Sequence, residues 1–284
     1  MSTRISVLKT YKLYIGGQFP RTESGRATAL SGRKGQHIAN LCRASRKDLR
    51  NAVVAARKAQ PNWASKSAYL RGQILYRAAE MLEGRAGQFA DELRLQGDSA
   101  SSARKEVDAA VDLLVHYAGW TDKYTQVFGS INPVASPHFN FSVPEPTGVI
   151  GVLPPQAPGL LGLVAAVAPL VAGGNTCVAL ASPTHPLSAV TFAEVLNDSD
   201  LPGGVVNILT GLREEILPPM ATYKDIDGIA AYGTTAAEQA LIGENAALNV
   251  KRVAFHPADA LAGDPYRIME FQEIKTTWHP VAVG

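Results

Sequence analysis

The segment from Gly148 to Phe255 alternates short apolar, β-branched runs with stretches of helical periodicity, and this alternation is the strongest constraint on the fold. Parallel strands joined by helices take right-handed crossovers, so the order predicts an α/β fold with a Rossmann-like parallel sheet covered on both faces. The predicted strands are GVIGVL (148–153), TCVAL (176–180), VVNILT (205–210), IDGIAAY (226–232) and VKRVAF (250–255), with helices near Leu160–Val171, Leu187–Leu196 and Ala236–Asn245 and a less regular one after residue 210.

The residues before this segment are predicted to form a β-hairpin followed by N-terminal helices. YKLYIGGQF, at Tyr11–Phe19, alternates apolar and polar positions around a Gly-Gly turn. Apolar residues then recur at three- and four-residue steps, as expected of helices that pack on a sheet. The predicted helices cover Lys47–Lys58 with Ser45 as N-cap, the stretch around Ile74–Leu82, and Ala103–Tyr124.

Two further segments are predicted to be extended. FNFSV, at Phe139–Val143, is a short alternating run bounded by prolines, and the tail Tyr266–Pro280 is the second candidate. Only HPADALAGDP lies between Phe255 and Tyr266. That stretch is predicted to be a loop, because a second α/β domain does not fit into it.

The composition argues against two classes of partner. The 27 basic and 25 acidic residues are interleaved and give a formal net charge of +2, so no nucleic-acid partner is expected. The apolar run Gly159–Gly174 is too short to span a bilayer and contains Pro169, so no membrane partner is expected either. The first residues lack the apolar core of a secretory signal, which makes a cytoplasmic location the expectation.

The residues that carry chemistry do not assemble into an active site in the sequence. Cys177 falls in a predicted buried strand without a charged neighbour, and Cys42, beside Arg43, is also interpreted as structural. The six histidines show neither HxH nor HxxxH spacing. No catalytic residue and no metal ligand is therefore predicted.

Polar residues are few at the expected mouth of the sheet. The triplet Gly233–Thr234–Thr235 follows a strand and opens a helix, so its backbone N–H groups are placed to approach a pyrophosphate. Turn geometry and helix capping alone explain the same triplet. The stretch VALASPTHP, at Val178–Pro186, offers Ser182 but no charged side chain.

The order of many segments resembles that of the aldehyde dehydrogenase superfamily. The resemblance runs from about Tyr11 to Val253, resumes at about Ile268, and implies a coenzyme-binding-type domain. It also implies that FNFSV and the tail correspond to segments that pair with a neighbouring subunit. The segments are YKLYIGGQF, WASKSAYLRGQILYRAAEMLEGR, EVDAAVDLLVHYAGWTDK, EPTGVIGVLPP, PLVAGGNTCVALAS, PLSA, LPGGVVNILTG, YGTT and IKTTW.

Several functional residues of that family are replaced in this chain. Gln156 stands where the family has an Asn that helps to stabilise the oxyanion, and Leu180 where it has a Lys that bonds the adenosine ribose. Pro183 replaces an acidic residue, and Glu238 replaces a glycine. We therefore expect that no cofactor is required and that any binding of NAD or NADP is weak. The cofactor-binding positions that the resemblance carries over are Ser182, Gly233, Thr234 and Thr235.

The resemblance also implies a domain organisation. Residues 1–254 form an N-terminal helical segment and a Rossmann-like domain with an oligomerisation strand inserted near 137–146, and residues 266–284 form a C-terminal oligomerisation strand. Residues 255–265 are a short loop where the family continues into a Glu general base and a catalytic domain with the nucleophilic Cys. The chain is thus similar to the inactive second copy of fused two-unit aldehyde dehydrogenases and is not expected to be an enzyme on its own.

Three functions remain open at this point. The preferred one is a catalytically deficient structural or regulatory subunit that forms a homo-oligomer, or a hetero-oligomer with a catalytic aldehyde dehydrogenase. It is preferred because apolar edge strands are costly to leave unpaired. The second is an NAD(P)-binding component of an aldehyde oxidoreductase hetero-oligomer. The third is a stand-alone binding module for another nucleotide or an acyl carrier.

Overall fold

The computed structural model describes residues 9–32 and 35–281. In chain order its strands are β1 (Ala27–Ser31), β2 (His37–Cys42), β3 (Ser130–Asn132), β4 (His138–Pro146), β5 (Val149–Leu153), β6 (Thr176–Leu180), β7 (Val206–Leu209), β8 (Gly228–Tyr232), β9 (Arg252–His256) and β10 (Gln272–Pro280). Its helices are α1 (Arg46–Ala64), α2 (Ala68–Gly84), α3 (Ala86–Gln96), α4 (Ala100–Trp120), α5 (Tyr124–Phe128), α6 (Gly159–Ala172), α7 (Pro186–Asp198), α8 (Arg213–Thr222), α9 (Ala236–Ala247) and α10 (Tyr266–Met269).

A five-stranded parallel sheet forms the centre of the fold, with the strand order β7-β6-β5-β8-β9. Successive side chains of β5 point to opposite faces: Val149 and Leu153 pack with α1 and α8, whereas Ile150 and Val152 pack with α4 and α6. Every residue of β5 and β6 is buried. This two-sided burial explains the continuous apolar runs in the sequence and confirms the predicted Rossmann-like α/β fold.

The N-terminal helices cover the sheet largely as predicted. Ser45 begins α1 with a capping box, in which its hydroxyl accepts a hydrogen bond from the backbone nitrogen of Asp48 at 3.2 Å and the Asp48 carboxylate accepts one from the backbone nitrogen of Ser45 at 2.7 Å. The second and third predicted helices correspond to α2 and α4. The chain turns after Trp120, so Tyr124 belongs to the separate short helix α5 and not to the third helix.

Strand β10 of the tail pairs antiparallel with β4 along nine residues, and β4 pairs with β3. The prediction of two extended segments is therefore confirmed, except that the tail begins with the short helix α10. The tail is anchored in the main core: Phe271 is 1% exposed, and its carbonyl accepts a hydrogen bond from the Asn175 side-chain nitrogen at 2.9 Å. The tail thus belongs to the packed body of the domain.

The extreme N-terminal part differs in detail from the prediction. Gly16 and Gly17 form the expected tight turn, with φ of 62° and 78°, and Ile15 and Gln18 exchange two hydrogen bonds of 3.0 Å across it. No long ladder follows, because Tyr14 instead pairs with Ile208 at the edge of the main sheet. The hairpin of β1 and β2 was not predicted. Within residues 9–32 and 35–281, no helix has the length and apolar character needed to cross a bilayer.

Candidate functional site

The predicted cofactor-binding residues lie at the carboxyl edge of the parallel sheet. Ser182 follows β6 and Gly233 follows β8, and both strands flank β5. At this point the strand order reverses direction, which is where open α/β sheets bind their ligands. Ser182 and the Gly233–Thr235 turn therefore lie at the same edge of the sheet, on either side of β5, where a crevice is expected in such a fold.

All hydrogen bonds of the Ser182 hydroxyl go to atoms of its own loop and of the loop after β5. It donates a hydrogen bond to the carbonyl of Gln156 and accepts bonds from the backbone nitrogens of Thr184 and His185, both at 3.2 Å. Ser182 is only 5% exposed. Its hydroxyl therefore fixes the approach to α7 and has no free lone pair or proton aimed at the crevice.

The first turn of α9 is occupied by an acidic side chain. Gly233 adopts a φ of +57°, and Thr235 caps the helix with its hydroxyl accepting from the backbone nitrogen of Glu238 at 3.2 Å. The Glu238 carboxylate in turn accepts from the backbone nitrogen of Thr235 at 2.8 Å. Arg213, at the start of α8, holds this carboxylate with its Nε 2.8 Å from Oε1. A phosphate that approached this helix end would meet a negative charge in place of free N–H donors.

A second carboxylate occupies the N-terminus of α6. Oε1 of Glu106, on α4, accepts from the backbone nitrogens of Leu160 and Leu161 at 2.7 and 3.2 Å. Glu106 is 8% exposed, and burial raises the pKa of its carboxyl while the two backbone bonds lower it. Sequence reasoning missed this residue, because its partners lie 54 and 55 positions further along the chain.

The loop between α3 and α4 places an acidic side chain, Asp98, next to the stretch Val178–Pro186. His185 lies with Nε2 3.4 Å from the Asp98 carboxylate, and the Gln96 side chain accepts from the backbone nitrogen of Leu187 at 3.0 Å. The stretch Val178–Pro186 is uncharged in sequence, yet it is bordered by acidic groups in space. Side chains of this chain accept a hydrogen bond from at least one backbone nitrogen at the N-terminus of each of α6, α7 and α9.

The cysteines and histidines do not form a reactive centre in the described part of the chain. Cys177 is completely buried, and burial raises the pKa of its thiol to about 12. Cys42 is half-buried at the end of β2, where its carbonyl accepts a hydrogen bond from the Thr210 hydroxyl just after β7. Residues 9–32 and 35–281 contain no group of three or more His, Cys, Asp or Glu side chains suited to a metal ion.

A sequence profile of the aldehyde dehydrogenase family matches residues 20–257. The chain belongs to the aldehyde dehydrogenase family. It is 32% identical over 250 residues to the mitochondrial benzaldehyde dehydrogenase of Antirrhinum majus, and the matched region covers 85% of this chain and 46% of that protein. It is 30% identical over 258 residues to human cytosolic 10-formyltetrahydrofolate dehydrogenase, where the match covers 88% of this chain and 28% of the relative.

Solved structures of this family share the fold. An aldehyde dehydrogenase of Bacillus cereus in complex with NAD+ superposes with a TM-score of 0.83 at 26% identity, over 88% of this chain and 51% of the other. Aldehyde dehydrogenase C of Pseudomonas syringae, complexed with NAD+ and octanal, gives 0.80 at 30% identity, over 90% and 52%. The chain spans about half the length of aldehyde dehydrogenases such as those of Alternaria alternata and Bacillus cereus.

Proposed function

We propose that this chain is a catalytically deficient member of the family that acts as a structural or regulatory subunit. It assembles with itself or with a competent aldehyde dehydrogenase, and it needs no dinucleotide of its own. The observation that carries the proposal is the Glu238 carboxylate bound to the first turn of α9 and to Arg213. The residues at this edge do not fit a dinucleotide in the arrangement that they adopt.

The missing reactive thiol supports the loss of catalysis. A family enzyme must form a covalent bond to the aldehyde carbon before it transfers hydride, and this requires a thiolate beside the crevice. Cys177 lies near the amino end of β6, away from that edge, and its burial leaves it protonated and inaccessible. Cys177 therefore cannot serve as the nucleophile for this step.

The surfaces left exposed support an assembly role. The outer face of α9 consists largely of Ala and Gly, and the turn that follows exposes Leu248 by 83% and Val250 by 91%. On the small sheet, Ile131 and Trp278 are 73% and 56% exposed. Apolar surface of this extent is typical of faces that pack against another protein.

Cofactor titration tests the first half of the proposal. We expect calorimetric titration with NAD and NADP at millimolar concentration to give no heat of binding with the wild-type chain. Glu238→Gly removes the carboxylate from the α9 terminus and is expected to improve dinucleotide binding. Glu244→Gly replaces an exposed glutamate on the same helix; it is the control for the introduced glycine and should leave binding unchanged. Tight binding by the wild-type chain would contradict the proposal.

The mass in solution tests the second half. Light scattering after size exclusion is expected to give at least a dimer for the chain alone, or a complex when a full-length aldehyde dehydrogenase is added. Val250→Asp and Trp278→Asp place a charge on each exposed face and identify which face carries the contact. A chain that remains monomeric and never co-elutes with the enzyme would remove the basis of the proposal.

One observation favours the alternative, an NAD(P)-binding component of an aldehyde oxidoreductase hetero-oligomer. Gly233 keeps the positive φ of a turn that lets a ligand approach the backbone, and two relatives of the same fold have been solved with NAD+. In that case the Glu238 side chain would have to swing away from Thr235. The same titration separates the two functions, since saturable binding by the wild-type chain supports the alternative.

A further inference from the structure

A cavity of about 400 Å³ lies at the β1–β2 hairpin, and its lining includes neither Ser182 nor the Gly233–Thr235 turn. Its size falls in the range of small-molecule sites. The lining comes from three stretches of the chain: residues 9–11, the loop from Arg21 to Ala27, and strand β2. None of the proposed roles of the chain uses this cavity.

The floor of the cavity is apolar and rigid. Ala39 and Leu41 of β2 are 4% and 6% exposed, and Tyr11 beside them is 8% exposed. The Tyr11 hydroxyl is already committed, because it donates to the Glu92 carboxylate at 3.0 Å. Tyr11 therefore contributes its ring to the site, and the floor suits the apolar body of a ligand.

The rim of the cavity is cationic. None of its described lining residues is an aspartate or glutamate, whereas Lys9, Arg21 and Arg26 all line it. Lys9 and Arg26 are paired with acids outside the lining, at 2.9 Å from Glu194 and 3.2 Å from Glu215. Their charges are therefore largely balanced.

Arg21 differs from these two residues. In the described part of the chain, the Arg21 guanidinium and the side-chain amide of its lining neighbour Asn40 make no hydrogen bond or ion pair. A guanidinium offers a planar fork of donors that matches a carboxylate, and an amide adds a further N–H donor. We propose that the cavity binds a small organic anion with an apolar body, its carboxylate held by Arg21 and Asn40 and its body lying on Tyr11, Ala39 and Leu41.

Cys42 provides a local readout for occupancy of this site. Its half-buried thiol lines the cavity, whereas the second cysteine, Cys177, is completely buried. A maleimide that reacts with the native protein will therefore label Cys42 alone. A ligand seated on the floor should slow that labelling.

The test uses 4-phenylbutyrate as the anionic probe and 4-phenylbutan-1-ol as its neutral match, with binding followed by calorimetry and by the rate of Cys42 labelling. We expect the butyrate to bind and to protect Cys42, and the alcohol to bind about tenfold more weakly because it lacks the charge. Arg21→Gln should weaken the butyrate by about tenfold and leave the alcohol unchanged. Arg50→Gln, an exposed arginine on α1, is the control and should have no effect.

Three outcomes would overturn the proposal. They are absence of butyrate binding at millimolar concentration, equal binding by the Arg21→Gln variant, and binding that leaves the labelling rate of Cys42 unchanged. Because Arg21 is exposed, its substitution should not unfold the chain; Asn40→Leu gives a second variant with the same expected direction. None of these measurements depends on dinucleotide binding or on oligomer formation, so the two proposals fail independently.

Discussion

Oε1 of Glu106 lies 2.7 Å from the backbone nitrogen of Leu160, and this bond fastens the long helix α4 to the first turn of α6. The helix has no capping side chain of its own, since residue 158 is a proline. A side chain of an N-terminal helix therefore accepts a hydrogen bond from the backbone of a helix that packs on the central sheet. The two parts of the fold depend on each other through this contact.

Replacement of Glu106 by alanine should destabilise the chain by about 2 kcal/mol, because two buried backbone N–H groups lose their acceptor. The measurement is urea unfolding followed by circular dichroism. Glu80→Ala, on the exposed face of α2, is the control and should change the free energy of unfolding little. A loss no larger than that of the control would show that water replaces the carboxylate.

Phe271, which anchors the tail, is expected to contribute to the free energy of unfolding as a core residue does. Phe271→Ala removes a ring that is 1% exposed and should cost about 3–5 kcal/mol of stability. Trp278→Ala, on the same tail but 56% exposed, should cost much less in the monomer. Thermal and urea unfolding at low protein concentration would check both. Equal effects of the two variants would contradict the assignment of Phe271 to the core.

The lowered pKa of His116 predicts part of the pH dependence of the free energy of unfolding. Burial lowers its pKa below the ordinary value of 6.5, an effect that the charge of Asp264 partly offsets. The unfolded chain therefore binds this proton more readily, so the contribution of His116 is complete above pH 6.5 and is lost as the pH falls from 6.5 through the folded-state pKa.

The pH dependence can be checked by urea unfolding of the wild type and of His116→Gln across the weakly acidic range. The variant has no titrating group at this position, so the wild type should lose stability relative to it as the pH falls. Parallel curves would show that the pKa of His116 is the same in the folded and the unfolded chain.

Val250 has a backbone conformation that asparagine tolerates better than valine. Its φ of +56° lies in the left-handed region, which is strained for a β-branched side chain. Val250→Asn is expected to raise the free energy of unfolding by about 1 kcal/mol, because asparagine tolerates this conformation. Leu248→Asn, at a φ of −69°, is the matched control and should bring no such gain. A destabilised Val250→Asn variant would indicate that the valine side chain contributes packing that outweighs the strain.

The central sheet could be predicted from the sequence, because strands buried on both faces appear there as continuous apolar runs. Each predicted strand of the parallel sheet agrees with an observed one to within two residues at its ends, as the apolar runs of β5 and β6 illustrate. The β1–β2 hairpin could not be predicted in this way. Its strand β1 is largely exposed, so no alternation of burial marks it in the sequence.

The candidate site was predictable only where its contacts are local. Thr235 and Glu238 have the spacing of a capping box, and this signal was present in the sequence although it was interpreted only as a lost glycine. The contacts of Glu106 with Leu160 and of Arg213 with Glu238 join residues far apart in the chain. They depend on how the helices pack, which a periodic pattern does not specify.

The pairing of β10 with β4 has a consequence for how the chain is made. Ser142 and Thr276 face each other across this ladder although they stand 134 positions apart. During synthesis, β4 emerges from the ribosome long before its partner exists and exposes an open edge in the interval. Such late, non-local pairing slows folding, so this chain should be especially dependent on chaperones in the period before β10 is made.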